Sequence, residues 1–335
     1  MCNFLRKFCT LVLAISIASL SGCNPPQFSQ APKSNSGQEA NGQTYPNGQV
    51  QPTTPTAYQP QSTIKVGSFN IQSFGNTKMS RPVVMEYLVD IVKRHDILAI
   101  QELRDIDQRV IPQFLEMINK GGGQYAAAVG PRQGYIVEGK KTTYFEQTVY
   151  IYDITKVELL SQPYAAYDPT QVMHRPPFVG HFRCLNAPLQ QAFTFVLMNV
   201  HVAPENVGPE FQALEQIIPG IRQSHGAEDD FILLGDLNAE VQEMKDFNWL
   251  PKKFAAIPPQ WKTKTTEKRS IDNIVFDPNN TIEFVNSGVI NLMNEYSISQ
   301  TEAELISDHM PVWATFSTFE SAPATVTLGP QGVRR

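Results

Sequence analysis

FILLGDLNAE, residues 231–240, contains the unbroken apolar run Phe231, Ile232, Leu233, Leu234, followed by Gly235 and then by Asp236 and Asn238. A short apolar run stopped by glycine reads as a buried strand whose polar continuation emerges at a sheet rim. Residues i and i+2 of a strand share a side, so Asp236 and Asn238 can face one point with one charged and one neutral hydrogen-bonding group. That pair suits a metal-bound phosphate. Gly-Asp-x-Asn after a strand is also ordinary turn chemistry, so its meaning depends on what else the chain brings to the same rim.

Working outward, the same pattern recurs on both sides. FTFVLMNV at 193–200 is a β-prone run ending in His201, and residues 210–222 between it and the opening strand have helical spacing in Phe211, Leu214, Ile217, Ile218 and Ile221. Downstream, a Lys- and Thr-rich loop at 252–269 leads to SIDNIVF, 270–276, carrying Asp272, and SDHMPVW, 307–313, sets Asp308 and His309 before a last strand at 312–316. Toward the N-terminus, TIKVGSF at 63–69 delivers Asn70, and DILAI at 96–100 ends in Gln101, Glu102, Leu103 and Arg104. Burying Glu102 alone is costly, so a metal ion or Arg104 must compensate it. Helices are expected at 82–94, with Pro82 in the first turn, and at 109–120, halted by three glycines. Strands at 125–129 and 148–152 flank a hairpin, with Tyr144 and Glu146 on one face, and Arg175 precedes the prolines that open the strand before Cys184. Helix and strand alternate, which predicts an α/β protein with its polar candidates at strand ends.

The chain has 335 residues, 41% of them hydrophobic, a net charge of -5 and a pI near 5.7. This excludes a global electrostatic attraction to polyanions, so any such binding must be local or metal-assisted. Of the cysteines only Cys184 lies in the body, which excludes an intradomain disulfide and makes Cys184 a buried small hydrophobe.

The N-terminus reads as an address. Arg6 and Lys7 precede an apolar run at 8–20 that is short for a membrane span, and the run ends in Leu20, Ser21, Gly22 and Cys23. This resembles a bacterial lipobox, which implies export and lipidation of Cys23. Residues 24–62 are polar and proline-rich, a disordered tether. The expected organisation is a signal peptide at 1–22, a lipidated linker at 23–62, one domain at 63–318 and a loose tail at 319–335. Asn24 lacks the aspartate typical of inner-membrane retention, favouring the outer membrane or periplasmic face of the cell envelope.

FNIQSF around Asn70, AIQELRD around Glu102, YFEQTV around Glu146, NVHVAP around His201, GDLNAE around Asp236, SIDNIV around Asp272 and SDHMPV around His309 together resemble the endonuclease/exonuclease/phosphatase superfamily, nearest its deoxyribonuclease I branch. The resemblance implies a four-layer α/β/β/α sandwich of two packed mixed β-sheets, and metal-assisted attack of water on a phosphodiester. It implies Glu102 as the main Mg²⁺ ligand, with Ca²⁺ or Mn²⁺ as alternatives, Asp308 and Asn70 near the metal, and Asp236 and Asn238 about the phosphate. His201 oriented by Glu146, and His309 oriented by Asp272, would form two carboxylate-histidine pairs for proton transfer, with the identity of the base left open. Arg104, Tyr144 and Arg175 resemble that branch's DNA-backbone contacts. DNA is the implied partner of a monomer, besides the membrane that holds the lipid. Asn273 stands where an arginine is commoner. Two other readings remain: a phosphoesterase for phospholipid headgroups or inositol phosphates, and a catalytically dead binding module.

Overall fold

The computed structural model describes residues 62–136 and 143–321, with residues 136, 143 and 144 described through their backbone alone. Cys23, the expected signal and linker, and most of the expected tail lie outside the described residues. In chain order the elements are β1 (Thr63–Phe74), α1 (Asn76–Met79), α2 (Pro82–Lys93), β2 (Ile97–Leu103), α3 (Val110–Asn119), β3 (Tyr125–Val129), β4 (Gln133–Ile136) and β5 (Thr143–Asp153). They continue as β6 (Val157–Leu159), β7 (Tyr164–Ala165), β8 (Phe178–Cys184), β9 (Thr194–His201), α4 (Val207–Ser224), β10 (Phe231–Asp236), β11 (Phe254–Ala255) and β12 (Asp272–Phe276). The last are β13 (Phe284–Val289), α5 (Leu292–Tyr296), α6 (Gln300–Ile306) and β14 (Val312–Ser317).

Two mixed sheets result, one ordered β13-β14-β1-β2-β5-β3 with β4 on β5, the other β11-β12-β10-β9-β8-β6 with β7 on β8. Alternation along the strands divides the apolar residues into three layers. Val66, Ala99, Tyr150 and Val312 of the first sheet meet Phe182, Leu197, Leu234 and Ile274 of the second. Leu98, Ile100 and Ile151 face Leu88 and Ile91 of α2 and Phe114 of α3, while Met198, Val200 and Leu233 face Phe211, Leu214 and Ile218 of α4. This is the expected α/β/β/α sandwich.

Register then gathers the polar strand ends. β10 runs parallel to β9 with Asp236 opposite His201, and antiparallel to β12 with Asp236 opposite Asp272. In the first sheet β1 runs parallel to β2, pairing Asn70 with Gln101. Gly235, at φ +148, allows this close approach, because a Cβ there would stand 1.9 Å from the carbonyl oxygen of Val200.

Some boundaries differ from the expectation. β1 continues past Phe69 to Phe74 through a register shift in which Gln72 and Ser73 take positive φ. β13, α5 and α6 were not foreseen. β13 is a half-exposed edge strand, and the two short helices are set by local side-chain caps from Asn291 and Ser299. The tail expected to begin at 319 is tied down over its first residues: Phe319 bridges Ala192, Glu320 N donates to Gln191 O, and Ser321 N donates to Glu283 Oε1. Backbone and carboxylate partners hold this segment where periodicity gave no signal.

Candidate active site

Asp236 is the buried centre of a cluster at one rim of both sheets. Its Oδ2 accepts from Asn70 Nδ2 at 3.0 Å, and its Oδ1 accepts from the backbone N–H of Asn238 at 3.0 Å. The Nε2 atoms of His201 and His309 approach the same Oδ2 at 3.6 and 3.4 Å. Each imidazole is held from its far side. Glu146 Oε1 accepts from His201 Nδ1 at 2.6 Å, and Asp272 accepts from His309 Nδ1 through both oxygens at 2.9 and 2.8 Å. Two carboxylate-imidazole pairs thus point their Nε2 atoms at one carboxylate oxygen.

Burial and pairing compete in setting the charges. Burial pushes the Asp236 carboxyl up, but His309, His201, the Asn238 N–H and the Asn70 amide together hold it below the usual carboxylate range. Burial disfavours imidazolium at His309, yet Asp272 and Asp236 raise it to about 9, with Lys264 opposing. His201 is also raised, Glu146 outweighing burial, and Glu146 is lowered by His201 and Arg175 against its own burial. Asp272 is raised, burial outweighing the nearby His309.

Glu102 lies beside this cluster in a left-handed backbone conformation, φ +62, uncommon for a side-chain-bearing residue. Its Oε1 accepts from Asn70 Nδ2 at 3.3 Å, and its Oε2 accepts from Ser73 N and Arg104, each at 2.9 Å. Asn70 therefore links Glu102 to Asp236. Of the two compensations anticipated for Glu102, the ion pair with Arg104 is present. Asp308 is half-buried and accepts from Lys264 Nζ at 2.5 Å. Among the described residues, the metal-capable group here is Asp236, Asp272 and His309, with ligand atoms within 4.8 Å of one another; neither Glu102 nor Asp308 joins a group of three. The carboxylates of Glu102 and Asp308 are nonetheless hard oxygen donors of the kind a divalent cation takes, whereas Asn70 turns its amide nitrogen to this cluster and its Oδ1 accepts from Gln72 N at 2.9 Å.

Arg175 departs from the expected backbone contact with DNA. It is buried, donating from Nε to His201 O at 2.9 Å, and one guanidinium nitrogen stands 3.7 Å from Glu146 Oε2. It supports the Glu146-His201 pair from behind, because its planar cation compensates a buried carboxylate. Asn238 also has a structural duty: at φ +50 its Nδ2 donates to Val202 O at 2.8 Å, so the turn chemistry of Gly-Asp-x-Asn and the placement of Asp236 are one feature. The Tyr144 side chain lies outside the described residues; its backbone pairs with Tyr135.

Sequence reasoning missed Lys264. The loop before β12 folds over the rim, an isolated bridge joins Lys264 to His309, and Lys264 Nζ stands 2.9 Å from His309 Nε2. The Lys-rich composition was the available signal, but a contact spanning 45 positions is invisible to local pattern. Also missed were Lys78, buried with its Nζ donating to Ile71 O and Ile306 O at 2.6 Å, and the Gln101-Asn199 bond of 2.7 Å that joins the sheets beneath the site. A groove bearing Gln72, Ser73, Asn76, Arg81 and Arg104 runs away from Glu102.

The sequence profile of the Endonuclease/Exonuclease/phosphatase family matches residues 67–309. Deoxyribonuclease gamma of Rattus norvegicus is 30% identical over 268 residues, spanning 74% of this chain and 83% of that protein. Deoxyribonuclease-1 of Oryctolagus cuniculus is 28% identical over 278 residues, spanning 76% and 92%. Among solved structures, the human Nocturnin catalytic domain superposes with a TM-score of 0.53 at 15% identity, covering 77% of this chain and 95% of that domain, a likeness of fold.

Proposed function

We propose, taking as premise that this chain belongs to the endonuclease/exonuclease/phosphatase family, that it is a Mg²⁺-dependent deoxyribonuclease I-like endonuclease with little sequence preference. It is a hydrolase of that superfamily; the finer reading is supported above all by the convergence of His201 and His309 on Asp236, at 3.6 and 3.4 Å. Hydrolysis of a phosphodiester needs one group to take a proton from water and another to give one to the leaving oxygen. Two oriented imidazoles and an ionised carboxylate supply both.

His309, raised to about 9, carries a proton at neutral pH and is therefore the populated donor to the leaving oxygen. Lys264 favours the transfer by opposing the positive charge on that ring. Asp236, kept ionised between the imidazoles, accepts a hydrogen bond from the attacking water, and Glu146 and Asp272 fix each ring so that Nε2 faces the reacting atoms. Asn70 holds Asp236 in register with Glu102. With Asn70 beside it positioning Glu102, Glu102 and Asp308 would hold the metal. Its charge would polarise the phosphate and stabilise the charge developing on it. Arg104 and Arg81, at the groove beside Glu102, suit a nucleic-acid backbone.

The similarity to two deoxyribonucleases, at 30% and 28% identity over most of their length, supports DNA as the substrate. The lipobox-like Cys23 supports a membrane tether in a bacterial envelope, with the domain acting as a monomer. A substrate panel tests the assignment. Supercoiled plasmid should be nicked with Mg²⁺ and spared with EDTA, whereas phospholipid and inositol phosphate should be left intact. Hydrolysis of either of those with plasmid untouched overturns DNA and leaves only the superfamily chemistry. Cys23→Ser should move the protein from the membrane fraction to the soluble one; retention would refute the tether.

A further inference from the structure

At the opposite rim of the second sheet, three carboxylates from distant parts of the chain converge. Asp230 immediately precedes β10, Glu283 precedes β13 and Glu320 follows β14, and one carboxylate oxygen from each lies within 4.8 Å of the others. Glu228 and Asp229 extend the group around Asp230. Asp230 and Glu283 are 1% and 2% exposed. Asp230 Oδ1 and Glu283 Oε2 are buried with no hydrogen-bond partner among the described residues.

The backbone N–H groups of Ser321 and Thr194 donate to Glu283 Oε1 at 2.7 Å and to Glu320 Oε2 at 3.3 Å, and the side chains of Thr281 beside Asp230 and Ser321 beside Glu283 offset part of the cost of burial. Among the described residues no Lys or Arg pairs with any of the three; the basic partner of the wider cluster is His181, on Glu228 at 3.1 Å. The other acids near Asp230 add repulsion to its burial and push it to about 9; Glu320 is pushed to about 7 for the same reasons. Buried carboxylates persist when a proton or a cation neutralises them. Two buried, unpartnered oxygens on carboxylates that converge with a third and have no Lys or Arg partner among the described residues favour the cation.

We infer that Asp230, Glu283 and Glu320 form a structural site for a divalent cation of calcium size, separate from the catalytic rim. The donors are all oxygen, which selects a hard ion, and oxygens across a calcium ion stand about 4.8 Å apart, twice a Ca–O distance of roughly 2.4 Å. A cleft bordered by Glu228, Asp229, Glu320 and Ser321 gives water access to complete the coordination. The length of β10 separates this site from Asp236 by roughly 20 Å. An ion here ties the chain beyond β14 to the starts of β10 and β13, joining both sheets at the rim that performs no chemistry.

The test is calorimetric titration of calcium chloride into the purified full chain, into Glu102→Gln, which weakens the catalytic metal site, and into Asp230→Asn/Glu283→Gln. Glu102→Gln should still bind Ca²⁺ with a Kd of about 10⁻⁴ M or tighter and gain about 5 °C in unfolding midpoint at saturation. The double variant should lose that binding and that gain. Relieved of like charges, it should also unfold at a higher temperature than the metal-free wild type. If Glu102→Gln shows neither heat nor midpoint shift at about 5 mM Ca²⁺, or the double variant keeps both, protons alone fill the cluster and the inference fails. Should the double variant not fold, Glu320→Gln at the exposed mouth decides: an affinity loss of about tenfold or more supports the site, and unchanged affinity overturns it.

Discussion

Strand β10 begins beside one buried aspartate and ends in another. Asp230 and Asp236 are 1% and 2% exposed, so burial alone pushes both carboxyls up. At the far end Asp236 meets two imidazoles, an amide and a backbone N–H, and is held below the ordinary range. At the near end Asp230 meets Glu283, Glu320 and Glu228 and rises to about 9. The difference comes from what neighbouring segments contribute: β9 and the loop before β14 bring histidines to one rim, whereas the segments around β13 and after β14 bring acids to the other. The histidines repeat the lesson. His201 and His309, paired with carboxylates, are raised, while His95, buried at the start of β2 with its Nδ1 on Ile91 O, falls to about 3 through burial.

The largest expected effect breaks the chemistry at one rim alone. His201→Ala and His309→Ala, each with its fold retained, should reduce Mg²⁺-dependent plasmid nicking by about 10³-fold, whereas Asp230→Asn at the other rim should leave it within about twofold. Nicking assays across the three variants check this, and comparable losses in all three would erase the contrast between the rims.

Next in size is a pH effect on stability from His95. Its folded value, about 3, lies below the ordinary 6.5, so the unfolded chain binds a proton more readily. The stability it contributes is fully present above pH 6.5 and is lost as pH falls toward 3, by roughly 3 kcal/mol at pH 4. Denaturant melts from pH 7 to 4 should show a shallower decline for His95→Gln than for the wild type; parallel curves would mean that His95 plays no part in acid unfolding.

The smallest effect sharpens the role of Lys264. Lys264→Met should slow nicking about tenfold and move the alkaline limb of the pH-rate profile upward, because Lys264 opposes the proton on His309. A limb that moves downward would assign Lys264 a different role.

Much of the candidate rim's assembly was legible because its members sit at the ends of apolar strands, and apolar runs stopped by polar residues are a local signal. Register did the rest, setting Asp236 beside His201 and Asp272. Arg175 was misread because a residue before two prolines gives no hint that its guanidinium turns inward onto Glu146. Lys264 and the Asp230 trio were invisible for a related reason: their partners lie 37 to 90 positions away, in segments without periodicity. Edge strand β13 and the capped helices α5 and α6 escaped because short, half-exposed elements carry too few apolar residues to set a period.

The central claim is that one ionised carboxylate between two oriented imidazoles carries phosphodiester hydrolysis. It is tested most directly by nicking of supercoiled plasmid with Mg²⁺, wild type against Asp236→Asn, with folding of both checked by thermal melts. The account predicts rapid conversion to nicked plasmid by the wild type, abolished by EDTA, and a rate about 10³-fold lower for Asp236→Asn. Nicking by folded Asp236→Asn at the wild-type rate would contradict it.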